Sequence, residues 1–261
     1  MAFSFFIQKN KAAFVSLGFI TLIFLVYSIF WFFVANKIRN EIDAFIINAP
    51  SQNIQITIYA LSIRNYPFIP TVYFSGLISA EGNVIEIPLL LARSLFLPGS
   101  SLEIEMPQGL AILAPVDTAL WSFDAIRIEA IIPKSLPAQI TLEDLALWKE
   151  SGQTLELTNL EIEKNTLTIK GNGYLLLDNN LQPAGSLTIQ STGHIEFLHW
   201  LQQNQYIKRK EALLSGMVLV GLSQTDPLTK ESVMKTVLTV QNRTVSIGPL
   251  QLIIFPAFDW P

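Results

Sequence analysis

The stretch Ala12 to Ala35, AAFVSLGFITLIFLVYSIFWFFVA, carries no charge over 24 residues, and only Ser16, Gly18, Thr21 and Ser28 interrupt the apolar run. At about 1.5 Å per helical residue it reaches roughly 36 Å, enough to cross a hydrocarbon layer of about 30 Å with some tilt. A lone segment in lipid must satisfy its own backbone amides, which a helix does. Aromatic residues gather at its far end, at Tyr27, Phe30, Trp31, Phe32 and Phe33, as an interfacial belt requires. The reading is an uncleaved single-pass anchor over 12–35. A cleaved signal peptide fits less well, because its apolar core is about 7–15 residues long and ends on small side chains. Here Phe33 occupies a position that must be small for a cut after Ala35. A buried core helix of this length would carry a polar stripe.

Lys9 and Lys11 flank one end of the run and Lys37 and Arg39 the other, so the basic count leaves orientation balanced. A short tail (1–11), one anchor and a long strand-rich region suit a cytoplasmic N-terminus with residues 51–261 exported. All 17 basic and 21 acidic residues lie outside the run. Even so, the remainder is well below the roughly one-quarter charged content of ordinary soluble domains. Such a deficit fits either apolar surface turned toward something other than water or a large filled core. The one dense basic cluster, Lys208-Arg209-Lys210, is answered at once by Glu211. Nucleic-acid binding needs a broad positive footprint, and none is present. With no cysteine there is no disulfide, thiolate nucleophile or thiolate metal site.

Beyond the run, Ile38, Ile42, Phe45 and Ile46 continue a helical period to Pro50, so residues 36–50 read as a helical extension and linker. The period then changes to two. Ile54, Ile56, Ile58 and Ala60 alternate with polar neighbours, and turn signals recur about every 10 residues. Strands are expected at 71–78, 84–87, 89–96, 102–106, 123–132, 155–163, 165–170, 174–177, 186–190, 233–241, 244–247 and 250–255. Thr141-Leu142-Glu143-Asp144 is suited to open a short helix. Ile195, Leu198 and Leu201 predict one helix, and a second is expected from Glu211 to about Leu219 with Leu214, Met217 and Val218 inward. The fold class is mainly β: a single N-terminal transmembrane helix, then a large, mostly antiparallel sheet domain over 51–261 with one or two helices near 194–222.

Three stretches resemble one family. Tyr66-Pro67-Phe68 is similar to the aromatic-Pro-Phe turn that follows its first strand. Gly173-Tyr174-Leu175-Leu176-Leu177-Asp178, with Pro183 and Gly185, resembles its central hairpin, and Val245-Ser246-Ile247-Gly248-Pro249-Leu250 its closing strand. The family is domain of unknown function number 2125, membrane-anchored envelope proteins of Gram-negative bacteria. Asn65 and Ile69 depart from its usual Gly and Arg. The resemblance implies an inner-membrane protein with a periplasmic β-rich domain, loosely AsmA-like, and it implies no catalytic residues.

No chemistry-bearing constellation emerges. His194 and His199, the only histidines, are five residues apart and so about 140° apart on a helix, which separates them for metal binding. Gly171-Asn172-Gly173 lacks the third glycine of a dinucleotide loop and reads as a bulge. Glu103/Glu105 and Glu161/Glu163 read as solvated strand faces. The expectation is therefore a non-enzyme with no cofactor and no metal. Two functions remain open. In one, the domain shelters lipid acyl chains or another apolar ligand, with Leu89, Leu90, Leu91, Leu95, Phe96 and Leu97 as the candidate surface. In the other, it is an envelope scaffold or protein-partner module with a filled core, since fully buried strands also read as continuous apolar runs.

Overall fold

The computed structural model describes residues 11–52, 54–80, 83–95, 97, 99–113, 121–135, 141–204, 208–227, 230–247, 250–254, 257 and 260. Helix α1 (Lys11–Asn48) is unbroken for 38 residues, so the apolar run and its expected extension are one element. It stops at a single 3-10 turn, Ala49–Gln52, where Pro50 ends the hydrogen-bond ladder. Its portion Gly18–Asn48 is long and apolar enough to cross a membrane.

Among the described residues fourteen strands follow, all joined in one antiparallel sheet. In chain order β1 to β4 are Ile54–Arg64, Thr71–Ala80, Asn83–Arg93 and Ser101–Met106. Next come β5 (Leu110–Leu113), β6 (Trp121–Phe123), β7 (Ala125–Ile131), β8 (Leu155–Lys164) and β9 (Leu167–Leu177). The last five are β10 (Pro183–Thr192), β11 (Ser223–Thr225), β12 (Ser232–Gln241), β13 (Thr244–Ile247) and β14 (Leu250–Ile254). The spatial order β1-β2-β3-β4-β7-β8-β9-β10-β12-β13-β14 follows the chain, as short hairpin connections favour. β4 and β5 run side by side with β3 as one strand interrupted at Pro107-Gln108-Gly109, and β6 and β7 form its hairpin partner.

Two pairs of expected strands are merged: 165–170 and 174–177 are the single strand β9, and the other pair lies in β3. Val84–Ile87 and Leu89–Phe96 are not two strands; β3 runs through Pro88 and ends at Arg93. Proline donates nothing to a ladder, so it needs a place where none is asked of it. β2 shifts register between Phe74 and Gly76, opposite this point, and β4 and β5 are interrupted across from it. Pro88 occupies that gap.

Among the described residues three further helices decorate the sheet. Helix α2 (Leu142–Glu150) starts at Thr141, whose hydroxyl accepts from the Asp144 amide, as the local sequence predicted. Helices α3 (His194–Gln203) and α4 (Arg209–Leu222) lie against β9 and β12. Of the α4 residues expected inward, Met217 and Val218 are instead exposed while Ala212 is buried, and the side chain of Leu214 lies outside what the structure describes. A side chain at Gly216 would touch Leu198, so a small residue takes this contact with α3, while Leu213, Met217, Val218 and Val220 are exposed.

The best-sealed packing is where α1 returns across the sheet. Val34 and Ile38 bury against Val72, with Ile42, Leu61, Ile63 and Ala92 around them. Each of the three buried side chains contributes about 1.5–3 kcal/mol relative to exposure. The helix is therefore fixed to β1–β3 and is not a loose tether.

Candidate functional site

Alternation along each strand sorts side chains to two faces, and the register carries that sorting across the sheet. One row reads Ile63, Val72, Ala92, Ile104, Ile128, Leu160, Gly171, Ile189 and Thr236, each directly opposite the next over nine strands. A parallel row reads Leu102, Ala130, Leu157, Gly173, Leu187, Leu238 and Ile247. Another joins Met106, Ile126, Ile162, Ile169, Ser191 and Met234. The result is one nearly continuous apolar face.

Its cover is uneven. Val72, beneath α1, is 6% exposed, and Met106, Ala130, Leu157, Ile189 and Met234 elsewhere on this face are also buried, whereas Leu102, Ile104, Ile126, Ile128, Leu160 and Ile162 remain half-buried. Cross-strand neighbours about 5 Å away shield part of each side chain, but full burial of a sheet face takes a second layer, as Val72 has. Gly171 and Gly173 belong to this face because their neighbours lean over them. A side chain at Gly171 would meet Ile189 and the Thr188 carbonyl; one at Gly173 would meet Leu187 and the Ser186 carbonyl.

The opposite face is charged. Glu105, Arg127, Glu161, Lys170, Gln190 and Lys235 form a row from β4 to β12. Arg93 bonds Glu103 at 3.0 Å and Glu105 at 3.1 Å; Arg127 bonds Glu105 at 2.8 Å; Lys170 bonds Glu161 at 2.6 Å. Glu105 is the bridge between two guanidinium groups and is only 15% exposed. Partial burial works against the charged form of Arg93, but its hydrogen bond to Glu103 and the charges of Glu105 and Glu103 outweigh it and raise its pKa. Arg127 is raised through its hydrogen bond to Glu105 and the same carboxylate's charge. Glu103, Glu105 and Glu161, expected on solvated faces, are thus partners in cross-strand ion pairs. Alternating signs also favour this register, although Glu103 and Glu129 stand opposite one another.

The six candidate residues are scattered by this geometry. Leu90 is opposite Phe74 and shares the apolar face with Ala92; Leu91 is opposite Glu105, on the charged side. Leu89 adjoins the register shift at Pro88. Leu95 and Leu97 lie in the β3–β4 connection, where Leu97 is exposed, and Phe96 is outside the described residues. Ile104, Ile128 and Leu160 were passed over in the sequence reading. Their signal was the alternation of Glu103-Ile104-Glu105, Arg127-Ile128-Glu129 and Leu160-Glu161-Ile162, which marks a one-sided sheet more cleanly than a leucine run does.

His194 is buried at 5% exposure and is held within the fold. Ser223 gives its one hydroxyl proton to the Leu219 carbonyl, so it accepts from His194 Nε2 at 2.7 Å. His194 Nδ1 is then the acceptor for Ser191 at 3.4 Å. That arrangement fastens α3 and α4 to β10. His199 is exposed on α3, and among the described residues no group of three His, Asp or Glu is placed to hold a metal.

A family model described as an uncharacterized protein conserved in bacteria, DUF2125, matches residues 85–256. The match spans β3 to β14 and includes the Gly173–Gly185 and Val245–Leu250 stretches, while Tyr66-Pro67-Phe68 precedes it. No curated protein and no solved structure matches the chain.

Proposed function

The chain belongs to the DUF2125 family of uncharacterized proteins conserved in bacteria, and on that premise we propose that it is a non-enzymatic, membrane-anchored protein that holds lipid acyl chains on the apolar face of its sheet. In this reading α1 spans the bacterial inner membrane once, its N-terminus is cytoplasmic, and residues 51–261 occupy the periplasm. The observation that carries the ligand class is the contrast in cover along one face. Val72 is sealed by the anchor helix, while Ile104, Ile128 and Leu160 in the same row stay half-buried. Acyl chains suit such a surface because they are apolar, flexible and without polar groups to satisfy, so contact alone supplies the gain at about 25 cal/mol per Å². The face also begins beneath a helix apolar enough to stand in lipid.

The test compares Ile104→Glu, Ile128→Glu and Leu160→Glu with Val72→Glu in the full-length protein, scoring melting temperature and co-purified lipid by mass spectrometry. A charge at an uncovered position can reach water once lipid departs, so the first three keep the fold and lose lipid. At Val72 an unpaired buried charge costs several kcal/mol and unfolds the sheet. If all four melt alike, or wild-type protein carries no lipid, the face is an ordinary core or a protein interface and the scaffold reading replaces this one.

A further inference from the structure

The β1–β2 hairpin ends in Asn65-Tyr66-Pro67-Phe68-Ile69-Pro70, a turn that reaches α1 across 37 and 38 residues of chain. Ser28 donates its one hydroxyl proton to the Phe24 carbonyl and therefore accepts from Tyr66 Oη at 2.6 Å. The Trp31 indole donates to the Phe68 carbonyl, also at 2.6 Å. The Tyr66 ring fits among Phe24, Trp31 and Phe32, with centroids 5.4 to 6.1 Å away. These contacts set the depth of the turn. Lys37 is the first charge after the apolar run, and Ser28 and Trp31 precede it by roughly 14 and 9 Å along the helix axis.

At that depth the turn exposes apolar groups. Phe68 is 69% exposed and Ile69 47%. No charged residue occurs between Arg64 and Glu81, and Arg64 lies over the Tyr73 ring, 5.5 Å from its centroid. Part of the turn's polar backbone is answered from within, which lowers the cost of placing it in lipid. The Phe68 amide bonds the Asn65 carbonyl, Trp31 takes the Phe68 carbonyl, Asn65 and Thr71 both donate to the Ile69 carbonyl, and the two prolines have no amide proton.

We propose that this hairpin tip is a second membrane contact, immersed in the bilayer beside α1 with Phe68 and Ile69 among the acyl chains. The proposal rests on the reading that α1 spans a membrane. Two insertions side by side fix the angle at which the sheet leaves the bilayer, which a single helix cannot do. The adjacent β3–β4 connection starts beside the tip, because Thr71 pairs with Arg93, and it presents the exposed Leu97 at the same end of the sheet.

The protein has no cysteine, so single cysteines can be placed and spin-labelled without background. The full chain, in nanodiscs of phosphatidylethanolamine and phosphatidylglycerol, carries the label at Phe68→Cys, Phe33→Cys or Lys235→Cys. Collision with oxygen, which concentrates in lipid, is compared with collision with a water-soluble nickel chelate. The proposal expects Phe68 to group with lipid-facing Phe33, oxygen contact dominating several-fold, and Lys235 to show the reverse. If Phe68 groups with Lys235 while Phe33 stays in lipid, the hairpin proposal falls and the anchor stands. If Phe33 also meets nickel freely, both fall. Shielding of Phe68 from both reagents means contact with protein, which overturns the proposal as well. Ile69→Cys repeats the measurement should Phe68→Cys fail to fold.

Discussion

Ile104 stands directly opposite Ile128 on one face of the sheet, and one residue along the same strands Glu105 stands opposite Arg127 on the other, 2.8 Å apart. A single register thus builds both the apolar face and the charge row. Slipping β7 by one residue would exchange the two.

That coupling makes Glu105 a test of the row. Glu105→Gln leaves Arg93 with Glu103 and Arg127 with only a 3.8 Å contact to Glu161, and it brings two guanidinium groups together without their shared partner. The arginines are solvated, so the expected effect is a small drop in melting temperature. Thermal melts at low salt should show it, and the gap from wild type should narrow at about 1 M salt as screening removes the term. An unchanged melt at low salt would count against the row.

Gly193 and Gly18 make opposite predictions for the same substitution. Gly193 opens α3 with φ of 68°, and a side chain there would strike the Thr166 carbonyl. Gly193→Ala should lose about 2–4 kcal/mol from left-handed strain plus a displaced β8–β9 turn. Gly18 has nothing within 4 Å of an added methyl, so Gly18→Ala should leave the melting temperature unchanged or slightly higher.

His194→Leu should destabilise by about 2–3 kcal/mol, because Ser191 is buried and loses its acceptor. Adding Ser191→Ala should recover part of that loss in chemical denaturation. A double mutant no better than the single one would place the cost in packing rather than hydrogen bonding.

Trp31→Phe keeps the ring and deletes the donor to the Phe68 carbonyl. Hydrogen exchange of peptides covering 62–72 should accelerate, while peptides from β8 to β10 should not change. Equal exchange in both regions would show that the indole does not hold the tip.

Much of this architecture follows from local pattern. A lone apolar run of 24 residues must be a helix if it stands in lipid, and α1 is one. Thr141 caps the helix its neighbours predict, and strict alternation at Ile126 to Ala130 marks the apolar face of β7 without reference to any partner strand. These features depend on residues within one turn or one pleat of each other.

What remained hidden depends on partners far along the chain. Three leucines in a row, Leu89 to Leu91, look alike in sequence, yet Leu90 meets Phe74 and Leu91 meets Glu105, because two successive strand residues cannot share a face. Pro88 looks like a strand end until both its neighbours are seen to break register beside it. The outward turn of Met217 is decided by Gly216 against Leu198, eighteen residues away. Local pattern alone gives a long apolar helix and a set of two-faced strands. Only the tertiary structure decided that the strands share one sheet with one apolar side, and that Tyr66 returns to Ser28, since register and docking are relations between segments that no local period encodes.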